Sequence, residues 1–254
     1  MSALAVLLIA ISLADISRRL TSRAWLPVAV VPAAVVGGAL LAGLWHRGDL
    51  PLLVIAIAAG IAWEVLGARA ERTGERPWAP LLVLGAAAAT LILLSGWASQ
   101  VAGSVARWSA WTQLPAVGAL SADRLLMVVA VILLQLVTGN QFVRLVLASV
   151  GAVKPAGQPQ PSDRLKGGRL LGPMERLLIL GLGLAGQLTA ATAVVAAKSI
   201  IRFPEINAQK AAAQIKEANG NGDLGIGIDE VTEYFLVGSF ASWIIALGGL
   251  ALAQ

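Results

Sequence analysis

Arg176, Gln187 and Lys198 stand at equal intervals of eleven in one long apolar stretch. On a helix of 3.6 residues per turn such positions fall within about 20° of one another, so the three form one stripe about 33 Å long. Arg202 lies one turn beyond Lys198. Charged and amide groups at membrane depth are costly and are kept where they have a partner or a task. The stripe therefore has two readings. Either this helix lines a polar path or pocket, or Arg176, Lys198 and Arg202 snorkel to the interfaces while Gln187 makes one interhelical hydrogen bond.

A second polar face lies upstream. Thr138, Gly139, Asn140 and Gln141 break an apolar run, and Arg144 follows Asn140 by one helical turn, which lets the two share a surface. Arg144 sits several residues inside its segment, so it needs a carboxylate or an anionic ligand. Glu175 is the first candidate partner and Glu64 the second. Lys166-Gly167-Gly168-Arg169, followed by Gly172-Pro173, suits either recognition of a lipid head group or a basic anchor with a tight turn. The set is not a Walker loop, because GxxxxGK[ST] is absent. Glu233 opens the last apolar segment and is expected to neutralise Lys198 or Arg202 across a short return.

The stretch 219–230 has the oxygen spacing of a calcium loop, with Asn219, Asn221 and Asp223 at the first, third and fifth positions and Glu230 at the twelfth. Leu224 occupies the sixth position, where the sharp turn demands glycine. A Gly/Asn turn is the competing reading, and calcium is the one cofactor the sequence offers. The chain has no cysteine and one histidine, His46, which excludes thiolate catalysis and cysteine-ligated metals. No paired-carboxylate or nucleophile–base signature is present, so an enzyme is the less favoured class.

These residues must be positioned by elements that live in lipid. Only 13% of the 254 residues are charged and 57% are hydrophobic, against about 25% charged in soluble domains. The chain reads as an all-α, polytopic transmembrane bundle of about seven spans: 2–16, 25–45, 51–66, 79–98, 125–151, 174–202 and 232–253. The first span is short, yet no basic region precedes it and no signal-peptide cleavage site follows. Trp25, Trp45, Trp78, Trp97, Trp108 and Trp111 fall near segment ends, where tryptophan prefers the interface. Residues 99–124 suggest a segment lying along the membrane surface. The chain divides into N-terminal helices (1–123) and a polar C-terminal group (124–254) with a Pro/Gly-rich cytoplasmic loop and an outer loop at 204–231. Loops after the first, third and fifth spans are the more basic, so they are expected to face the cytoplasm, with the N-terminus outside and the C-terminus inside.

The C-terminal half resembles uncharacterised multi-pass bacterial membrane proteins of a domain-of-unknown-function family. Their pattern is G-R-x-I-G-x-L-E-R, then G-Q, then A-A-K-S-x-x-R-F, then E-Y-x-L-x-G-T. Here it reads Gly168-Arg169-Leu170-Leu171-Gly172-Pro173-Met174-Glu175-Arg176, Gly186-Gln187, Ala196-Ala197-Lys198-Ser199-Ile200-Ile201-Arg202-Phe203 and Glu233-Tyr234-Phe235-Leu236-Val237-Gly238-Ser239, over roughly residues 135–245. The resemblance implies a multi-pass protein of a bacterial cell membrane and ties these residues into one unit. It implies no activity, and the loop 219–230 departs from it.

The expected function is binding or transport of an anionic amphiphile or lipid along Asn140, Arg144, Lys166, Arg169, Glu175, Arg176, Gln187, Lys198, Arg202 and Glu233. The alternatives are an accessory or scaffold subunit of a larger membrane complex and an intramembrane lipid-modifying enzyme. The expected partners are membrane lipids and other membrane subunits, with no nucleic acid.

Overall fold

The computed structural model describes residues 1–21, 23–112, 118, 120–153, 168–197, 200 and 228–254, with the side chains of 168–170 and 228–231 left out of the description. Every element of this part is helical. In chain order these are α1 (Ser2–Leu20), α2 (Trp25–Ala42), α3 (Asp49–Thr73), α4 (Trp78–Leu93), a 3₁₀ turn (Ser95–Trp97), α5 (Ser104–Trp111), α6 (Ala122–Leu133), a π-helical turn (Leu134–Thr138), α7 (Gly139–Ser149), α8 (Gly168–Leu184), α9 (Leu188–Ala197) and α10 (Ile228–Ala253).

Among the described residues four helices are long and apolar enough to cross a bilayer: α2, α3, the continuous run Ala122–Ser149 and Thr232–Ala253 within α10. The other three expected spans differ for separate physical reasons. At about 1.5 Å per residue, the 16-residue α4 falls short of a hydrocarbon core of about 30 Å. The first segment extends to Leu20 and gathers Asp15, Arg18 and Arg19 in its last turns. The sixth breaks at Gly186.

That break is a Schellman turn. Gln187 N donates to Leu182 O and Gly186 N to Gly183 O, with Gly186 at φ 76°. A side chain in this left-handed conformation is disfavoured by about 1–2 kcal/mol, so glycine is the natural stop. Ala191 then clusters with Ile179 of α8 and Ala246 of α10, so α9 packs alongside both. The helix expected to run unbroken through 174–202 is two helices, and the eleven-residue stripe ends at Gly186.

Helix α1 is the hub of the N-terminal half. It packs most extensively on α2, then on α6 and α3, and nearly all of its residues down to Asp15 are buried. Small side chains allow the close approach: a Cβ on Gly38 would lie 3.2 Å from Val6 Cγ1, and one on Gly60 2.6 Å from Val31 Cγ1.

Contacts fix which helix ends lie together. Arg18, Glu71 and Arg144 meet, so α1, α3 and α7 finish at one end, together with Arg69 and Arg72. At the other end Ser2 Oγ donates to Ser99 O at 3.1 Å and Ser99 N to Asp49 Oδ1 at 2.8 Å. Here too Val101 N faces Asp123, and Arg124 Nε donates to Ala253 O at 3.0 Å. The C-terminus of α10 therefore lies at the end opposite the basic one. The expectation that it shares a side with the basic loops took 174–202 as a single crossing, whereas α9 turns back after Gly186 and packs beside α8. Pairs such as Arg176–Ser242 and Gly183–Leu250 show that α8 and α10 run parallel.

Candidate functional site

Residues 134–138 bring the C-terminal helices together. The N–H of Gly139 donates to Leu134 O, five residues back, which is the π-helical step, and the Gln135 carbonyl is turned to donors from a different helix. Arg176 of α8 supplies them: Nε and Nη2 donate to Gln135 O at 3.1 and 2.7 Å. Nη2 also donates to Asn140 Oδ1 at 2.8 Å, and Nη1 to Ser242 Oγ of α10 at 3.3 Å. Arg176 is 1% exposed. The four bonds end on uncharged oxygens, and π-helical turns of this kind are common where a helix serves a special purpose. Gly139 makes the approach possible, since a Cβ there would lie 2.9 Å from Arg176 Nε.

The same turn receives two more helices. Arg19 Nη2 of α1 donates to Val137 O at 2.9 Å, and Gln135 Nε2 donates to Ile245 O of α10 at 2.8 Å. The Thr138 and Ser12 hydroxyls lie 3.3 Å apart. Gly249 leaves room for the Gln135 amide, where a Cβ would come within 2.5 Å of Nε2.

A second polar centre joins α1 to α3. Arg18 Nη2 donates to Asp15 Oδ1 at 2.8 Å and to Glu64 Oε2 at 2.6 Å. Asp15 is 4% and Glu64 2% exposed. The fully buried Trp63 indole and the Thr138 hydroxyl face Asp15, although the indole N–H makes no hydrogen bond of good geometry. Arg18 Nη1 continues to Glu71 Oε2 at 3.7 Å.

Glu71 leads to the surface. Its Oε1 is 3.7 Å from Arg144 Nη1, and the Arg144 side chain is 52% exposed. Both residues line a cavity of about 220 Å³ whose other walls include Ala70, Gly74, Leu145, Ala148 and Val153. Arg144 thus pairs with Glu71, while Glu64 is taken by Arg18. The Asn140 side-chain oxygen accepts from Arg176.

The remaining candidates are scattered. Gln187 is exposed, and its carbonyl caps the start of α9 by accepting from Ala191 N at 3.1 Å. Glu175 is half-buried beside Arg176, and Glu233 is exposed near the start of α10. Lys166, Lys198, Arg202, Asn219, Asn221 and Asp223 lie outside the described residues, as do the side chains of Arg169 and Glu230. The calcium-loop reading and the pairing of Glu233 with Lys198 or Arg202 fall there too. The sequence reading missed Asp15, Arg18, Glu71, Gln135 and Ser242. Asp15 and Arg18 carried a usable signal, because opposite charges three apart at the end of an apolar helix form a local pair.

No protein-family model, curated protein or solved structure matches this chain, so the site is defined by its own geometry.

Proposed function

We propose that this is an integral membrane protein of about seven membrane-embedded helical segments that binds the anionic head group of an amphiphile at Arg144. What supports the reading is the pairing of a half-exposed guanidinium with a small, largely apolar cavity at the basic end of the bundle. A cavity of about 220 Å³ is below the usual size of a drug-like pocket, so it suits a head group or a chain end, with the rest of the amphiphile in lipid. The Arg144–Glu71 contact of 3.7 Å is longer than a hydrogen bond, and an anionic group can compete for the guanidinium. The basic end faces the cytoplasm of a bacterial cell membrane in this reading, next to its anionic leaflet. Lys166 and Arg169, within the stretch 135–245 that carries the family resemblance, are further basic candidates for the head group on sequence alone. Movement of the amphiphile across the bilayer is the transport form of this proposal.

Arg176 favours a different role. All of its described hydrogen bonds are made inside the bundle, which suits a scaffold clamp. Calorimetric titration of the protein in zwitterionic nanodiscs separates the readings. A long-chain alkyl phosphate should bind saturably, and an alkylphosphocholine of equal chain length should not. Equal binding of both amphiphiles would remove the anionic specificity on which the proposal stands.

A further inference from the structure

The Asp15–Arg18–Glu64 centre has more buried acid than buried base. One guanidinium nitrogen serves both carboxyl groups, at 2.8 and 2.6 Å, so the two acids are near neighbours. Their other oxygens, Asp15 Oδ2 and Glu64 Oε1, are buried without a hydrogen-bond partner. Three donors close by are also unpartnered: Trp63 Nε1, Arg18 Nε and Gln141 Nε2. Gly67 shows that Gln141 belongs to this group, since a Cβ there would lie 3.7 Å from Gln141 Nε2 and 3.8 Å from Arg18 Nη1.

The surrounding charges are few. On α1 they are Asp15, Arg18 and Arg19, the last bonded to Val137 O. On α3 they are Glu64 and Glu71, with Arg69 and Arg72 exposed on the same last turns, and on α7 Arg144, held to Glu71. Helices α2 and α4 carry no ionisable side chain, and Asp123 and Arg124 of α6 lie at the far end. Two carboxylates this close in a low-dielectric site repel each other, and the single cation bonded to both, the partly buried Arg18, offsets only one. A proton on either acid neutralises the buried set and supplies an O–H for an unpartnered oxygen.

We propose that Asp15 and Glu64 form a proton-exchange site that holds one proton between them, with Arg18 as the fixed counter-charge. Uptake forms a carboxyl O–H, and release returns the carboxylate and passes the proton to water. Glu71 is partly exposed and 3.7 Å from Arg18 Nη1, so it connects the pair with the cavity and solvent at the basic end. This site uses residues other than the Arg144 head-group contact and stands without it.

Infrared difference spectroscopy of the full chain in nanodiscs, with pH stepped across the neutral range, tests the proposal. The wild type should gain a protonated-carboxyl C=O band on acidification, and the band should shift in D₂O. Asp15→Asn and Glu64→Gln should each remove or displace it, with circular dichroism reporting whether each variant folds. If Glu64→Gln does not fold, Glu64→Asp keeps a carboxyl and should shift the titration midpoint. A wild type with no such band overturns the proposal, as does a band unaltered in the folded variants. A spectral change driven by sodium at fixed pH, and not by pH, also overturns it.

Discussion

The guanidinium of Arg176 places four hydrogen bonds on three oxygens from three chain segments, at Gln135, Asn140 and Ser242. Only a planar fork of donors reaches all of them, so lysine is a poor substitute. Arg176→Gln leaves buried acceptors without donors and should lower stability by on the order of 3 kcal/mol. Arg176→Lys should fall between that variant and wild type in thermal unfolding in detergent. Two glycines give a matched control. Gly139→Ala sets a methyl 2.9 Å from Arg176 Nε and should cost about 1–3 kcal/mol by overpacking. Gly181→Ala meets nothing within 4 Å and should be neutral or stabilising by up to about 1 kcal/mol. The same thermal scans separate the two. At this scale the sequence made Asn140, Arg144 and Arg176 legible as costly polar groups in lipid. It could not make their partners legible, because Gln135 offers its backbone carbonyl and every residue has one.

Among the elements, α8 and α9 carry the sharpest lesson. The run from 177 to 197 is apolar apart from Gln187 and two threonines, and hydropathy alone has no term for direction. Reversal is fixed by the Schellman hydrogen bonds at Gly186, a signal carried by one glycine in a glycine-rich sequence. Gly186→Ala should destabilise the turn by about 1–2 kcal/mol. Hydrogen exchange should show the effect first, as faster exchange at Gly186 and Gln187 than in the body of α8. The π-helical turn was equally hidden, since 134–138 fits an α-helical pattern. Its consequence was partly visible in the break of polarity at Thr138-Gly139-Asn140-Gln141. By contrast α2, α3, the run Ala122–Ser149 and the last helix were legible because each contains a stretch long and apolar enough to cross a bilayer.

At the scale of the whole molecule, buried polarity among the described residues gathers at the Arg176 and Asp15–Glu64 centres and, at the far end, around Asp49 and Ser2. Six tryptophans near segment ends are exposed, while Trp63 is buried beside Asp15. The paired helix ends make a topology prediction that the absence of cysteine renders simple to test. Single cysteines introduced as Arg47→Cys and Gln254→Cys should react with a membrane-impermeant thiol reagent from the same side. Arg72→Cys should react from the other. Labelling of the 72 and 254 positions from one side would require a different course for α10. The central claim is a division of labour: Arg144 meets the ligand, and Arg176 holds the bundle. Native mass spectrometry of retained anionic phospholipid, run beside thermal unfolding on Arg144→Gln and Arg176→Gln, tests it most directly. The account predicts that Arg144→Gln loses bound lipid at unchanged unfolding temperature, while Arg176→Gln unfolds at lower temperature. Full lipid retention by Arg144→Gln, or an equal loss of stability in both variants, would contradict it.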